Sequence, residues 1–262
     1  MPSTSYDCFS CLRSFFIHPL GRRSLAILIP ATVSIFALCQ GCASRQSPIS
    51  FAEKLRTGDY LREDYIEALC STFSPLRATR PDDFPQLIQV ACDQIGIAFM
   101  PVHNFHEGDN LYVAAKDGVL KERDDDVPRE LGRLTIHGIE AFSLSTGIRT
   151  YRFRFVADAE RWVTNAVIAG SYKDASGHDY SLGRDGMAHF LRQKPFSYTL
   201  GLDHVLTGHD YIYSRNPERS WAVFISKKGI ALHDGSGDAD EIVSEAPRWT
   251  LTRLSSASCK QP

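Results

Sequence analysis

The chain has 262 residues, of which 43% are hydrophobic and 23% are charged. This composition supplies enough apolar side chains for the core of one large domain or two small ones, and it excludes bulk disorder. The formal net charge of −2 at pH 7 lacks the excess of basic residues that nucleic-acid-binding proteins place against phosphates, so no nucleic-acid partner is expected.

A short apolar segment near the start of the chain predicts export. It follows the basic pair Arg22 and Arg23, and it runs without a charged residue from Leu25 to Leu38, a length of 14 residues (38 − 24). A membrane-spanning helix needs about 20 residues, and Pro30 interrupts this shorter run. The basic flank, the short apolar core and the small residues after it are typical of a secretory signal peptide.

The apolar segment ends at Gly41-Cys42, which a polar stretch follows. Residues 20–43 resemble the lipobox of bacterial lipoprotein signal peptides, although Cys39 stands where that family usually has leucine. The resemblance implies cleavage before Cys42 and diacylation of its sulfur. Since two acyl chains anchor a protein stably, the membrane would be a partner through Cys42. The residue after the cysteine is Ala43, not the aspartate that is associated with retention in the inner membrane. The resemblance therefore implies a location on the periplasmic face of the outer membrane.

The leader also sets the first domain boundaries. Residues 1–41 are predicted to be the signal peptide, and residues 42–49 a tether rich in serine and glutamine. Two alternatives stay open for the same residues: cleavage after Ala43 by ordinary signal peptidase, or an uncleaved anchor.

Three cysteines besides the lipidation candidate follow the leader. Cys70 and Cys92 are a candidate disulfide pair for an oxidising periplasm, which would leave Cys259 as a free thiol. The other pairings among these three cysteines, and buried free thiols, are alternatives that the sequence leaves open.

Residues 50–80 are predicted to form a short helical segment. Ser50 and Glu53 make a capping box for a first helix. Asp59 can cap a second, amphipathic helix. The apolar face of the second helix consists of Leu61, Tyr65, Ile66, Leu69 and Phe73. We expect this helix to plug a sheet or barrel rather than to bind a partner protein.

Residues 85–255 are predicted to be a β-rich domain. Alternating and aromatic segments recur roughly every 10–15 residues, with Gly and Asp turns between them. The predicted strands are 86–90, 96–102, 110–115, 118–122, 133–138, 139–147, 149–157, 162–172, 178–190, 196–206, 209–214, 220–235 and 248–254. No helical pattern separates them, so the sequence predicts a mainly β fold, an antiparallel meander closed as a barrel or folded as a sandwich.

One of these strands shows the alternation most clearly. Tyr151, Phe153 and Phe155 share one face, while Arg152 and Arg154 take the other. Aromatic residues at every second position predict a strand with one buried face.

Two segments, 106–118 and 174–186, echo each other. Each combines a polar turn, an aromatic-containing strand and a Lys/Arg-Asp-Gly turn, so two similar halves are a hypothesis beside chance similarity. From Gly170 to Leu254, the order of strands, glycine turns and a last Trp-containing strand resembles small lipocalin-like β modules of bacterial envelope proteins. The resemblance implies architecture only, because the Gly-x-Trp of lipocalins is missing.

Histidine is the first residue type to consider for chemistry. The histidines after the leader are His103, His106, His137, His178, His189, His204, His209 and His233. His204 and His209 flank a predicted turn, but no HExxH or second ligand cluster accompanies them. The glycine-rich stretch 235–238 has no helix after it that could bind phosphate. The sequence therefore predicts no catalytic residue, no metal site and no cofactor.

Three functions are compatible with these features. The favoured one is a membrane-anchored envelope lipoprotein that binds or scaffolds other envelope components and catalyses no reaction; a barrel filled by its own side chains would favour it. The second is a carrier of a small apolar ligand, which requires a hollow barrel. The third is a hydrolase, which requires His204, His209 and His233 to converge.

Overall fold

The computed structural model describes residues 55–79, 84–92, 96–103, 105, 108, 110–123, 126–202, 209–215, 218–235, 246–254 and 259. The predictions on Cys42, the tether at 42–49, the capping box of Ser50 and Glu53, His106 and His204 lie outside the described residues. The described chain is mainly antiparallel β-structure, which confirms the predicted fold class.

The first eight strands form a closed barrel. They are β1 (Gly58–Arg62), β2 (Leu87–Cys92), β3 (Ile97–Val102), β4 (Tyr112–Ala114), β5 (Val119–Glu122), β6 (Glu130–Gly138), β7 (Ala141–Ser145) and β8 (Thr150–Val156). Each strand pairs antiparallel with the next along the chain, and β8 pairs with β1, where Tyr60 lies opposite Phe155. Such closure leaves no edge strand open to another chain.

The interior of the first barrel is packed with aromatic rings. Tyr60, Phe99, Phe142 and Phe153 are each 0% exposed. The rings of Phe142 and Phe153 stack with their centroids 5.1 Å apart, and the ring of Tyr60 lies 5.0 Å from that of Phe142. Side chains that alternate along the strands therefore fill this barrel.

Strand β8 confirms the predicted alternation. Phe153 belongs to the interior cluster, and Tyr151 and Phe155 pack against it. On the other face, Arg154 and Arg152 approach the same glutamate of the first helix at 3.0 and 3.6 Å. The two faces of one strand thus separate the barrel interior from the contacts with the helix.

The remaining strands form a nine-stranded sheet that curls on itself. They are β9 (Gly170–Lys173), β10 (Asp179–Leu182), β11 (Met187–His189), β12 (Phe196–Ser197), β13 (Thr199–Gly201), β14 (Asp210–Arg215), β15 (Glu218–Ser226), β16 (Gly229–Asp234) and β17 (Trp249–Arg253). The order is β12-β11-β10-β9-β17-β16-β15-β14-β13. Because only Tyr198 separates the edge strands β12 and β13, the two edges of the sheet come together in one chain segment. The sheet is therefore barrel-like, and we call it the second barrel.

The described residues also form three helices: α1 (Glu63–Thr72), α2 (Pro75–Ala78) and α3 (Ala159–Val167). In α1, Tyr65, Ile66 and Leu69 are buried, as predicted for its apolar face. The helix begins later than predicted, because Leu61 and its neighbours pair with strands on both sides as β1. The β-structure therefore starts at Gly58 instead of residue 85.

Helix α3 corrects the first part of the strand predicted at 162–172, whose last residues belong to β9. Asp158 caps it by accepting a hydrogen bond from the backbone N–H of Arg161 at 2.8 Å. Asp59, the predicted cap of α1, lies in β1 and instead accepts a hydrogen bond from the N–H of Ala159 at 2.8 Å. The buried side chains of α3 are Ala159, Val163, Ala166 and Val167, the spacing of one helical face.

One apolar core joins the two barrels through these helices. Leu61, Leu87 and Val156, on the outer face of the first barrel, share a cluster with buried residues of α1, α3 and the interior of the second barrel. This packing agrees with the expectation that the amphipathic helix acts as a plug. The two barrels are therefore parts of one core.

The two echoing segments form the same turn at equivalent positions. Gly118 and Gly186 both adopt a left-handed conformation, with φ of +79° and +81°. In each turn the aspartate side chain accepts a hydrogen bond from the N–H two residues on, at 3.2 and 3.0 Å. Lys116 in the first turn and Arg184 in the second are thus equivalent residues.

Candidate functional site

The interior of the second barrel also contains its own aromatic cluster. Phe190 lies 5.5 Å from Phe196 and 5.1 Å from Trp249 between ring centroids, and Phe196 lies 5.5 Å from Trp221. Phe196 and Trp221 are 4% and 3% exposed. Functional sites of the described residues are therefore to be sought outside the two barrel cores.

A disulfide connects helix α1 with the end of the chain. Cys70 is bonded to Cys259, with their Cα atoms 5.4 Å apart. This corrects the predicted pair of Cys70 and Cys92. Cys92 lies at the end of β2 opposite Ile97, whereas Cys70 and Cys259 both pack against the core that joins the barrels. Cys92 is also disulfide-bonded. The expectation of a free Cys259 was therefore wrong.

A buried carboxylate fixes helix α2 to strand β14. Asp210 is 4% exposed, and it accepts hydrogen bonds from the Ser74 hydroxyl at 2.5 Å and from the N–H of Leu76 at 2.9 Å. Ser74 in turn caps α2 by accepting from the N–H of Arg77. A carboxylate at a helix start satisfies N–H groups that have no partner inside the helix. We interpret this cluster as structural.

A buried arginine and tyrosine of the second barrel bind the end of helix α3. Arg253 donates a hydrogen bond to the carbonyl of Val167 at 2.5 Å, and the Tyr172 hydroxyl donates to the carbonyl of Ile168 at 2.5 Å. Burial raises the pKa of Tyr172 to about 12. A cation at the end of a helix interacts favourably with its last carbonyls, so these contacts hold α3 in place.

Two of the three histidines that the hydrolase alternative requires lie among the described residues. His209 is buried at the start of β14, while the ring of His233 lies 5.2 Å from that of Phe224. His204 lies outside the described residues. Within the described residues, no group of three or more His, Cys, Asp or Glu side chains could hold a metal ion.

One histidine–aspartate contact belongs to a turn between β9 and β10. His178 Nδ1 lies 3.0 Å from Asp174 Oδ2, and the Tyr180 hydroxyl donates to the same oxygen at 3.2 Å. The hydrogen bond from His178 is the largest of the contacts that lower the pKa of Asp174, to about 2. Asp174 also accepts hydrogen bonds from the backbone N–H groups of Ser176 and His178. These contacts close the turn, and we assign them no catalytic role.

A polar cleft of about 200 Å³ lies where helix α3 meets the rim of the second barrel. Its charged lining residues are Asp158, Glu160 and Arg161 from the helix, and Arg184 and Asp185 from the turn between β10 and β11. Arg161 Nη2 donates a hydrogen bond to the backbone carbonyl of Arg184 at 3.3 Å. The cleft therefore places two guanidinium groups beside three carboxylates.

Among the described residues, no close ion pair joins the two arginines of the cleft to its carboxylates. The Asp158 carboxylate accepts the capping hydrogen bond from the Arg161 N–H, and that of Asp185 accepts from the N–H of Met187 at 3.0 Å. Neither Arg161 nor Arg184 has an ion pair with any described residue. The charged side chains of the cleft are exposed to solvent.

Carboxylates crowd the start of helix α3. Burial raises the pKa of Glu160, and the negative charges of Asp158 and Asp59 raise it further. Burial is also the largest cause of the raised pKa of Asp59.

Sequence reasoning identified the turn of this cleft but not the cleft itself. Arg184 and Asp185 belong to the predicted Lys/Arg-Asp-Gly turn. The facing side chains of Glu160 and Arg161 lie on a helix whose C-terminal part was predicted as a strand. The usable signal was Asp158 followed by apolar residues at helical spacing, which is typical of a capped helix.

Comparisons of the chain with protein-family models, with curated proteins and with solved structures give no significant match. No helix in the described part of the chain is both long and apolar enough to cross a membrane.

Proposed function

We propose that the chain is an envelope lipoprotein, anchored by acyl chains on Cys42 to the periplasmic face of the outer membrane. Its two barrels bind or scaffold other envelope components on their outer surfaces, and they catalyse no reaction. The packing of both barrel interiors is the observation that supports binding on the outer surfaces, and the leader is the observation that supports the anchor.

The proposed cellular location depends on the predicted signal peptide. The apolar run from Leu25 to Leu38 is too short for a typical span, and the lipobox-like pair Gly41-Cys42 follows it. The disulfide between Cys70 and Cys259 is the kind of bond that persists in an oxidising compartment outside the cytosol. Two acyl chains would hold such a protein at the membrane without a spanning helix.

The filled barrels support binding on the outside rather than transport of an apolar ligand inside. A carrier needs a cavity of about 300 Å³ or more lined by apolar side chains. In the first barrel, Phe99, Phe142 and Phe153 are fully buried against one another and their neighbours. The cleft of about 200 Å³ lies outside the barrels, and much of its lining is charged.

The anchor is tested by comparing two serine variants in fractionated cells. The Cys42→Ser variant should lose the acylated mass and leave the detergent-extractable membrane fraction, because the acylated sulfur is gone. The Cys11→Ser variant, altered in the part predicted to be removed, should fractionate like the wild type. If the Cys42→Ser variant still pellets with membranes at the wild-type mass, the lipid anchor is wrong.

The carrier alternative is tested with a fluorescent fatty acid. The proposal predicts no saturable increase in fluorescence when this probe is titrated into the purified full-length protein. Saturable binding at one site would instead favour the carrier, particularly if substitution of Phe142 by tryptophan abolished it.

A further inference from the structure

The disulfide of helix α1 passes over the cysteine that lies nearest to Cys70 in the chain. Cys70 is bonded to Cys259, which follows it by 189 positions. Cys92 follows Cys70 by only 22 positions (92 − 70). The connectivity of the folded chain is therefore not the one that proximity along the sequence favours.

In the unfolded chain, the shorter loop closes more often. The probability that two residues of a flexible chain meet falls roughly as the −3/2 power of the number of residues between them. For separations of 22 and 189 positions, this relation favours contact of Cys70 with Cys92 over contact with Cys259 by about 25-fold. Cys70 should therefore bond to Cys92 first, unless folding brings Cys259 close beforehand.

Folding brings Cys259 to Cys70 only at a late stage. Cys259 comes after β17, the last strand, which pairs with β16 and with β9. The pairing of Arg253 with Tyr172 joins distant parts of the chain, and such contacts form slowly because a long loop must close first. Cys70 and Cys259 then meet on the core that joins the two barrels, so that core has to form before their bond can.

We propose that Cys70 first forms a disulfide with Cys92, and that a thiol–disulfide isomerase is the folding partner that rearranges it. This inference goes beyond the scaffolding function. The order of the bonds does not depend on where the protein resides, whereas a periplasmic isomerase as the partner rests on the export proposed above.

The structure requires that the early bond be broken. Cys70 is on α1 and packs against the core that joins the barrels. Cys92 is the last residue of β2, in the strand phase of Ile88 and Val90, whose side chains lie in the interior of the first barrel. A sulfur of Cys70 that is bonded to Cys92 cannot be bonded to Cys259, so the chain cannot reach its folded connectivity without thiol–disulfide exchange.

The exchange needs no net oxidation. A disulfide-containing oxidant accepts two electrons from Cys70 and Cys92 when the first bond forms. A thiolate of the isomerase then attacks the sulfur of Cys70, forms a mixed disulfide and releases Cys92 as a thiolate. After folding brings Cys259 close, its thiolate attacks the same sulfur and releases the isomerase thiolate. The same class of oxidant then converts Cys92 to the disulfide that it has in the folded chain.

Refolding of the reduced full-length protein tests the order of the bonds. The protein is diluted from denaturant into a mixture of reduced and oxidised glutathione, and samples are blocked with N-ethylmaleimide, digested and analysed by mass spectrometry. At the first time points, peptides that link Cys70 to Cys92 should exceed those that link Cys70 to Cys259 by at least about tenfold. Added protein disulfide isomerase should speed the conversion by at least about fivefold. Early dominance of the Cys70–Cys259 link, or a conversion that the isomerase does not change, would overturn the proposal.

A matched pair of chains assigns the delay to Cys92. In both chains, serine replaces the cysteines that precede Cys70, which are Cys8, Cys11, Cys39 and Cys42. With Cys92 present, the isomerase should speed formation of the Cys70–Cys259 bond as in the wild type. With Cys92→Ser added, the isomerase should change that rate by less than about twofold, because no competing bond has to be broken. Equal acceleration of both chains would refute the role of Cys92.

Cells that lack periplasmic disulfide isomerase test the partner. They should contain at least about fivefold less of the Cys70–Cys259 link than the parent strain, with a matching gain of the Cys70–Cys92 link. Equal amounts of the Cys70–Cys259 link in both strains would refute the isomerase as the partner. If neither link forms in either strain, the proposed export is wrong, while the bond order measured by refolding is unaffected.

Discussion

The disulfide between Cys70 and Cys259 should contribute a large part of the stability of the chain. It joins residues 189 positions apart, so it closes nearly the whole β-structure into one loop. In the chain-entropy model, a loop of 100 residues is worth about 4.7 kcal/mol, and the greater length adds about 0.6 kcal/mol. Engineered disulfides often give less than this model predicts, and removal of a native disulfide typically costs about 2–5 kcal/mol. We therefore expect the Cys70→Ser/Cys259→Ser variant to lose about 3–5 kcal/mol of unfolding free energy.

Thermal unfolding followed by circular dichroism measures this loss. For a protein of this size, about 3–5 kcal/mol corresponds to a fall in Tm of roughly 6–20 °C. Reducing the wild-type protein should lower its Tm at least as far, and the double variant should retain the native spectrum at low temperature. A loss of less than about 1 kcal/mol in the free energy of unfolding would contradict this prediction. A peptide map in which Cys70 is joined to Cys92 would also contradict it.

Three further predictions concern single contacts. The Asp210→Ala variant should lose about 3 kcal/mol of unfolding free energy, measured by urea denaturation, because the buried Ser74 hydroxyl and a helix N–H are left without their acceptor. An unchanged urea midpoint would argue against the buried cluster. The Phe142→Ala variant should lose about 3–5 kcal/mol, and a much smaller loss would mean that the first barrel is not tightly packed. In the His178→Ala variant, the pKa of Asp174, now about 2, should rise toward its ordinary value of 3.8. The contribution of this carboxylate to stability is present above that ordinary value and is lost as the pH falls through about 2, so carboxyl chemical shifts that titrate identically in both proteins would refute the contact.

The strands were accessible from the sequence because their periodicity is local. In β8, aromatic residues at every second position have the period of a strand, and their inward orientation follows from it. The turns at Gly118 and Gly186 were likewise accessible, since a glycine after aspartate supplies the left-handed conformation that the turn requires.

Helix α3 was predicted in part as a strand because several of its residues favour β-structure, while its cap and its apolar spacing favour a helix. Val163, Thr164 and Val167 are β-branched and occur often in strands. In the folded protein, the caps from Asp158 and Asp59 and the burial of one helical face outweigh that preference. The cap from Asp59 comes from a strand about 100 residues earlier, so no local pattern could reveal it.

The disulfide and the cleft depend on the same kind of long-range information. Cys70 and Cys259 lie at opposite ends of the described chain, and only the shared core brings them together. The cleft needs both the orientation of α3 and the position of Arg184 on the rim of the second barrel. In each case, residue types and spacing identified the candidate residues, but they did not show which of these residues come together in the fold.

The most direct test of the proposed function is the mass of the mature N-terminal peptide from membranes of cells that express the full chain. The account predicts a peptide that begins at Cys42 and carries the added mass of a diacylglyceryl group. An unmodified peptide that begins at Ser44, or a leader that is retained, would contradict the lipid anchor and the address that depends on it.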